Sequence, residues 1–242
     1  MRFFAAFLST IASILLVVGV LISSVQFYVM DRDYFAGQYR LMETSRKISI
    51  PFSQLMEVTD TVLDYLADKN DDMDVKAKVG GKTRHVFTDR ELSHMKDVKA
   101  LYQNALLVRN ISLLVALGFY LLSALMVRND RMQLYAKSYI RGFIIVFVLI
   151  LAIVIWMAID FDSFWTNFHH VFFRNDLWQL DPKKSVMINM YPLEFWYDLC
   201  KNIASAIGLI CGGLLLLSIG YLGVRAYRKR SLLRINEREE RE

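Results

Sequence analysis

Cysteine is scarce, with two in 242 residues. Cys200 and Cys211 stand eleven positions apart in one apolar stretch, too far along a helix to bridge each other. Neither has a Cys or His neighbour at metal-ligand spacing, and both read as packing residues. The chain has no internal repeats, no low-complexity domain linker, and no recognisable motif presenting Ser or Cys as a nucleophile.

Charge is missing from four long stretches: Phe3 to Met30, Asn110 to Val127, Gly142 to Ile159, and Asn202 to Val224. Each reaches the roughly 18 to 20 residues needed to cross a hydrocarbon core about 30 Å thick. With 55% hydrophobic residues and a positive mean hydropathy, the chain has the composition of a polytopic membrane protein. The first run is longer than the roughly 7 to 15 residues of a signal h-region, and Ser23-Ser24-Val25 is a weak cleavage site. It reads as a retained helix.

Lys and Arg in the short flanks set the orientation. Arg128, Arg131, Lys137 and Arg141 face only Asp130, and the tail opens with Arg225, Arg228, Lys229 and Arg230. The stretch from Asp160 to Lys201 is rich in acid instead. The positive-inside rule puts both termini and the middle loop in the cytoplasm and the two other connections outside. The net charge of +5 therefore speaks for topology rather than for nucleic-acid binding. The expected organisation is helix 1 over 1–30, a small outer α/β cap over 31–104, helix 2 over 105–127, a cytoplasmic loop over 128–141 and helix 3 over 142–159. An outer aromatic segment over 160–201, helix 4 over 202–224 and a cytoplasmic tail over 225–242 complete it. The fold class is mainly α, with four transmembrane helices.

Within the cap, DRDYFAGQYR reads as a polar connector. Pro51 opens an amphipathic helix in which Leu55, Val58, Val62, Leu63 and Leu66 repeat at helical spacing. Val75–Val79 and Lys82–Phe87, joined by Gly80-Gly81, form a hairpin that is marginal alone and must rest on something. Thr88 and Glu91 make a capping box for one helix running from about residue 89 to 127. His94 lies on its first turns, with Glu91 one turn before and Asp97 one turn after. A carboxylate beside an imidazole fixes its tautomer, as a catalytic base requires, and a solvated face with ordinary charge pairs has the same pattern.

The stretch DFDSFWTNFHHVFFRNDLW, Asp160 to Trp178, packs Phe161, Phe164, Trp165, Phe168, Phe172 and Phe173 at spacings of three and four. His169 sits among them, where an imidazole beside lipid headgroups can titrate near neutral pH. An interfacial anchor collects the same residues. In the fourth run, Gly208 and Gly212 form a Gly-x-x-x-Gly packing signal.

RELSHMKDVKALY (Arg90 to Tyr102) and IDFDSFWTNFHHVFFRNDLWQLDP (Ile159 to Pro182) together resemble the bacterial lipoprotein intramolecular transacylase family, Lit. The resemblance covers nearly the whole chain. It implies a four-helix membrane enzyme that moves the sn-2 acyl chain of an S-diacylglyceryl-cysteine lipoprotein onto that cysteine's own α-amine, giving the lyso form. It implies catalytic histidines at the junction of cap and membrane: the histidine of E-x-x-H-M-x-D-V falls on His94, and that of F-H-x-x-F-F on His169. His170 does not match. Glu91, Asp97, Trp165, Phe168, Phe172, Phe173 and Trp178 are then the orienting or pocket residues. Ser185 departs from the family pattern, which has an acidic residue after D-P. The implied partners are a diacylated lipoprotein and membrane lipid, in the bacterial cell membrane with the site facing outward. No cofactor and no metal is implied.

The chemistry of the residues suits that reaction. Attack by the amine closes a ring of N, Cα, Cβ, Sγ, two glyceryl carbons, the ester oxygen and the carbonyl carbon, eight members that a confined aromatic site can pre-organise. The α-ammonium, with a reference pKa of about 7.7 to 8, must lose a proton, and the departing glyceryl oxygen must gain one. Two histidines can serve these steps. Three other readings stand beside this one. The first is a non-enzymatic four-helix scaffold or sensor with a partner-binding cap. The second is an acyltransferase drawing on a phospholipid donor. The third is a metal site from His94, His169, His170 and Asp160 or Asp97, where no His pair has the i, i+4 spacing of a helical ligand set.

Overall fold

The computed structural model describes residues 1–239. The last three residues of the expected cytoplasmic tail lie outside the described residues. Among the described residues, nine helices and one hairpin follow in order: α1 Arg2–Val29, α2 Arg32–Leu41, α3 Thr44–Lys47, α4 Phe52–Leu66, β1 Lys76–Val79, β2 Lys82–His85, α5 Asp89–Met126, α6 Arg131–Ile159, α7 Phe161–Phe172, α8 Val186–Met190 and α9 Leu193–Glu239. Four of them, α1, α5, α6 and α9, are long and apolar enough to cross a membrane. The chain forms two compact units, the first comprising Met1–Ile22, Val108–Ile153 and Ser205 onward, the second Ser23–Leu107 and Val154–Ala204.

The first unit is held by small residues and hydroxyls rather than by bulky interdigitation. A Cβ on Gly142 would stand 2.7 Å from Ser13 Cβ, and one on Gly19 would stand 2.4 Å from Leu113 Cδ2, so α1 approaches α6 and α5 closely there. Ser13 Oγ donates to the Ser9 carbonyl at 2.7 Å and shares a 2.9 Å bond with the Tyr120 hydroxyl. Tyr139 donates to the Cys211 carbonyl at 2.9 Å, tying α6 to α9. Leu114, Leu149 and Leu217 point outward, as large apolar side chains do where the surrounding solvent is lipid. The Gly208–Gly212 expectation fails: a Cβ at either position would meet nothing within 4 Å, because both lie on an open face of α9. The expected loop over 128–141 is also mostly helix. Only Val127–Asp130 separates α5 from α6, with Asp130 in the left-handed region at φ 66° and paired with Arg225.

The second unit has a globular core of Phe35, Tyr39, Ile50, Leu55, Val58, Met73, Val86, Met190 and Phe195. The stretch read as a polar connector is α2: the Asp31 carboxylate accepts from the Asp33 and Tyr34 amides, and Phe35 and Tyr39, one turn apart, go into the core. α4 buries the face set by Leu55, Val58, Val62, Leu63 and Leu66. The hairpin pairs Lys76 with His85 and Val79 with Lys82, and its turn needs Gly80 and Gly81 at φ 59° and 85°. It rests on its neighbours through Gly80 N donating to the Ser49 carbonyl at 3.0 Å and Lys78 N donating to Gln54 Oε1 at 2.7 Å.

Candidate active site

The site is built on the first turns of α5, on α7, and on the segment that follows α7. Thr88 caps α5 as the spacing predicts. Its amide and hydroxyl both donate to Glu91 Oε2, at 2.6 and 2.7 Å, and the Glu91 amide returns a bond to Thr88 Oγ1 at 3.3 Å. Glu91 is fully buried at 0% exposure. Its other oxygen, Oε1, accepts from Ser185 Oγ at 2.6 Å and from the Met187 amide at 2.9 Å. Four donors thus satisfy a carboxylate in the interior, where an unsatisfied one is costly. Ser185 also caps α8 by accepting from the Ile188 amide at 3.2 Å. Two further ties reach the segment after α7: Arg90 donates to the Asp176 carbonyl, and Asn175 Nδ2 donates to Asp97 Oδ2 at 2.9 Å.

These ties set His94 beside His169. The two imidazoles are buried, at 7% and 8% exposure, with ring centroids 6.2 Å apart and planes 32° from parallel. Phe173 touches both, edge-on to His94 at 5.2 Å and tilted against His169 at 5.6 Å. Trp165 lies 4.9 Å from His169, Phe168 5.6 Å and Trp178 4.8 Å. Behind them Trp165 stacks on Trp196 at 4.8 Å, a residue the sequence reading missed although Phe195 and Trp196 stand one turn into α9. Phe172 sits one step further out, half exposed and packed on Phe168 rather than on a histidine. His170 is exposed and meets Trp178 edge-on at 5.1 Å.

The two histidines are held differently. His169 Nδ1 lies 2.7 Å from the Trp165 carbonyl. A carbonyl only accepts, so Nδ1 carries the proton and Nε2 keeps its lone pair. His94 Nδ1 is buried with no hydrogen-bond partner among the described residues. The carboxylate expected to orient it is absent from its ring: Glu91 is committed to Thr88 and the 185–187 segment, and Asp97 is bonded to Asn175. Both rings lie outside the apolar run of α5, and both are pushed toward the neutral form. Burial chiefly, and then the neighbouring His169, bring the His94 pKa down to about 4, with Asp97 pulling partly the other way. Burial lowers His169 too, against the Trp165 carbonyl, which favours its protonated form. Two neutral imidazoles in an aromatic enclosure are proton acceptors at neutral pH.

No group of three or more His, Cys, Asp or Glu among the described residues is arranged to hold a metal. A cavity of about 600 Å³ in the same unit is lined by Met30, Arg32, Asp60, Lys69, Tyr102 and Gln103 and includes neither histidine.

Comparison with known proteins agrees with this architecture. No curated protein sequence matches the chain. Among solved structures, the membrane integral lipoprotein intramolecular transacylase Lit from Bacillus cereus superposes with a TM-score of 0.72 at 17% identity, over 96% of this chain and 100% of that one. Two further structures of that protein, each with one histidine mutated, to arginine or to alanine, superpose at 0.67 over 94% of this chain, at 16% and 17% identity, covering 94% and 96% of those chains. These likenesses establish the fold. The model of the family "Lipoprotein intramolecular transacylase Lit" matches residues 10–196. The chain is a membrane protein and belongs to the lipoprotein intramolecular transacylase family.

Proposed function

We propose that this transacylase moves the sn-2 acyl chain of an S-diacylglyceryl-cysteine lipoprotein to that lipoprotein's own N-terminal amine, through the eight-membered cyclic intermediate, with His94 and His169 transferring the protons. The observation that carries this reading is the buried pair of rings 6.2 Å apart within a wall of Trp165, Phe168, Phe173 and Trp178. His169 has its Nε2 lone pair available and acts as the base toward the α-ammonium. The neutral amine attacks the ester carbonyl carbon, whose π electrons move to oxygen. On collapse, the bond from that carbon to the glyceryl oxygen breaks and the amide forms. The attacking nitrogen gives up its second proton to His94 as the amide forms, and His94 passes that proton to the leaving oxygen, an imidazolium whose pKa is about 4 giving it up readily. His169 releases the first proton to solvent, so both rings end neutral, as they began. Acid–base work of this kind is typically worth about 10² to 10⁴ in rate. The aromatic walls exclude water, which favours the amine over hydrolysis, and fold a flexible lipid into the ring-closing conformation.

The substrate partners are a diacylated lipoprotein and the surrounding membrane lipid. Residues 31–104 and 160–201 face outward, with both termini and residues 128–141 in the cytoplasm, as the Lys and Arg asymmetry supports. The test is conversion of a defined diacylglyceryl lipopeptide to the N-acylated lyso form by membranes bearing the wild type or single histidine variants. Conversion by the wild type, lost with either His94→Ala or His169→Ala, is the expected result.

A further inference from the structure

We propose that Trp178 is a catalytic residue whose indole N–H donates a hydrogen bond to the carbonyl oxygen of the migrating ester and stabilises the oxyanion that forms there. This rests on the acyl-transfer reading above and assigns the one task that the two histidines leave undone. Attack on an ester carbonyl transfers an electron pair to its oxygen. Sites that stabilise that charge do so with N–H or O–H donors fixed before the reaction begins.

Most donors near the rings are already committed. Ser185 Oγ and the Met187 amide donate to Glu91, Arg90 donates to the Asp176 carbonyl, and Asn175 donates to Asp97. His169 Nδ1 is spent on the Trp165 carbonyl, and Phe168, Phe172 and Phe173 carry no donor at all. Trp178 Nε1 is different. It is buried and has no hydrogen-bond partner among the described residues, and its ring lies 4.8 Å from that of His169. Indole N–H groups usually find a partner when buried, so one left unsatisfied against a candidate catalytic ring requires explanation. The His94 Nδ1 atom, also without a partner, belongs to the same cluster.

The indole is also fixed in place, as a pre-organised donor must be. His169 packs against it at 31° and His170 meets it edge-on at 5.1 Å, so two consecutive residues of α7 grip one ring. This gives His170 a supporting task although it lies outside the family's histidine motif. In the proposed step the amine nitrogen bonds to the carbonyl carbon and the carbonyl π pair moves to oxygen. Trp178 holds that oxygen without giving up its proton. When the carbon–oxygen double bond re-forms, the glyceryl oxygen leaves with the proton from histidine. No other reactant is required.

The experiment replaces Trp178 with β-(3-benzothienyl)alanine, which keeps the ring's shape and puts sulfur where the N–H was. The probe is a synthetic S-diacylglyceryl-cysteinyl peptide in detergent micelles. The expected result is a kcat lower by about 10² to 10³, the usual effect of losing one such donor, with KM unchanged. A kcat within about tenfold of wild type overturns the assignment, and so does a raised KM with kcat intact, which marks a ground-state binding contact. If the wild type itself leaves the acyl chain in place, the functional reading falls. If the wild type transfers it and the analogue does so equally well, only the role of Trp178 falls. A second measurement does not depend on how the analogue folds. In wild type labelled with ¹⁵N at the indoles, the Trp178 N–H resonance, identified by its loss in Trp178→Phe, should move downfield on adding the same lipopeptide with its amine acetylated. An unmoved resonance at saturation contradicts the proposal.

Discussion

Glu91 and Ser185 meet inside the protein: the serine hydroxyl donates to Glu91 Oε1 at 2.6 Å across 94 positions of chain. Glu91 lies one turn before His94 on α5, so this contact and the Met187 bond fix the helix that carries one imidazole against the segment that follows the other. Glu91 is thereby a positioning residue that acts through the backbone.

Ser185→Ala should lower stability by about 1 to 3 kcal/mol, because one of four donors to a buried carboxylate is lost. Glu91→Gln should cost at least as much, since an amide turns one acceptor oxygen into a donor facing other donors. Thermal melts check both. Neither variant should change the shape of the pH–rate profile, whereas a Glu91 that acted directly as acid or base would change it.

His94→Ala and His169→Ala should each reduce turnover by about 10² to 10⁴, and the double variant should lose little more than either alone, because the pair acts as a unit. His170→Ala should be milder, since His170 touches Trp178 and not the histidine pair. Single-turnover rates on a diacylated lipopeptide decide this. Losses that multiply in the double variant would mean the two rings act independently.

Acid should destabilise the protein over a defined window. His94 stays neutral in the folded chain down to a pKa of about 4, whereas in the unfolded chain it binds a proton below about 6.5. The unfolded state therefore holds more protons between these values, and stability falls as pH drops from about 6.5 to 4. His169, also lowered, adds to the same trend. The His94→Ala variant should show a flatter dependence when melting is followed across that range. Any break in turnover that comes from the two rings should fall below pH 6.5, since both are lowered from that value.

Cysteines placed at Asp71 and Lys183 should react with an impermeant thiol reagent in intact cells, and one placed at Gln133 should not. Labelling at position 133 would reverse the proposed orientation.

What the sequence made legible was local. Uncharged runs located the four long helices, Thr88 and Glu91 located the start of α5, and Gly80-Gly81 located the hairpin. The family resemblance put both histidine positions, His94 and His169, at one junction, and their rings lie 6.2 Å apart. The rest depended on contacts between distant segments. DRDYFAGQYR is polar enough to pass for a connector, yet Phe35 and Tyr39 supply an apolar stripe that becomes visible once a core exists to receive it. Glu91 is three residues before His94, which suggested an imidazole partner, but its carboxylate turns toward Ser185 and Met187, far away in sequence. Ser185 looked like a departure from pattern, and its hydroxyl proves to be one of the four groups that make a buried Glu91 tenable.

The most direct test of the central claim is mass spectrometry of a lipopeptide carrying a ¹³C-labelled acyl chain at sn-2 only, incubated with purified protein in unlabelled phospholipid. The account predicts an intact mass that does not change, with the label relocated from the glyceryl ester to the cysteine amine, and no relocation with His94→Ala or His169→Ala protein. An unlabelled N-acyl group would show that the chain came from a phospholipid. Full relocation by either histidine variant would contradict the two-histidine mechanism.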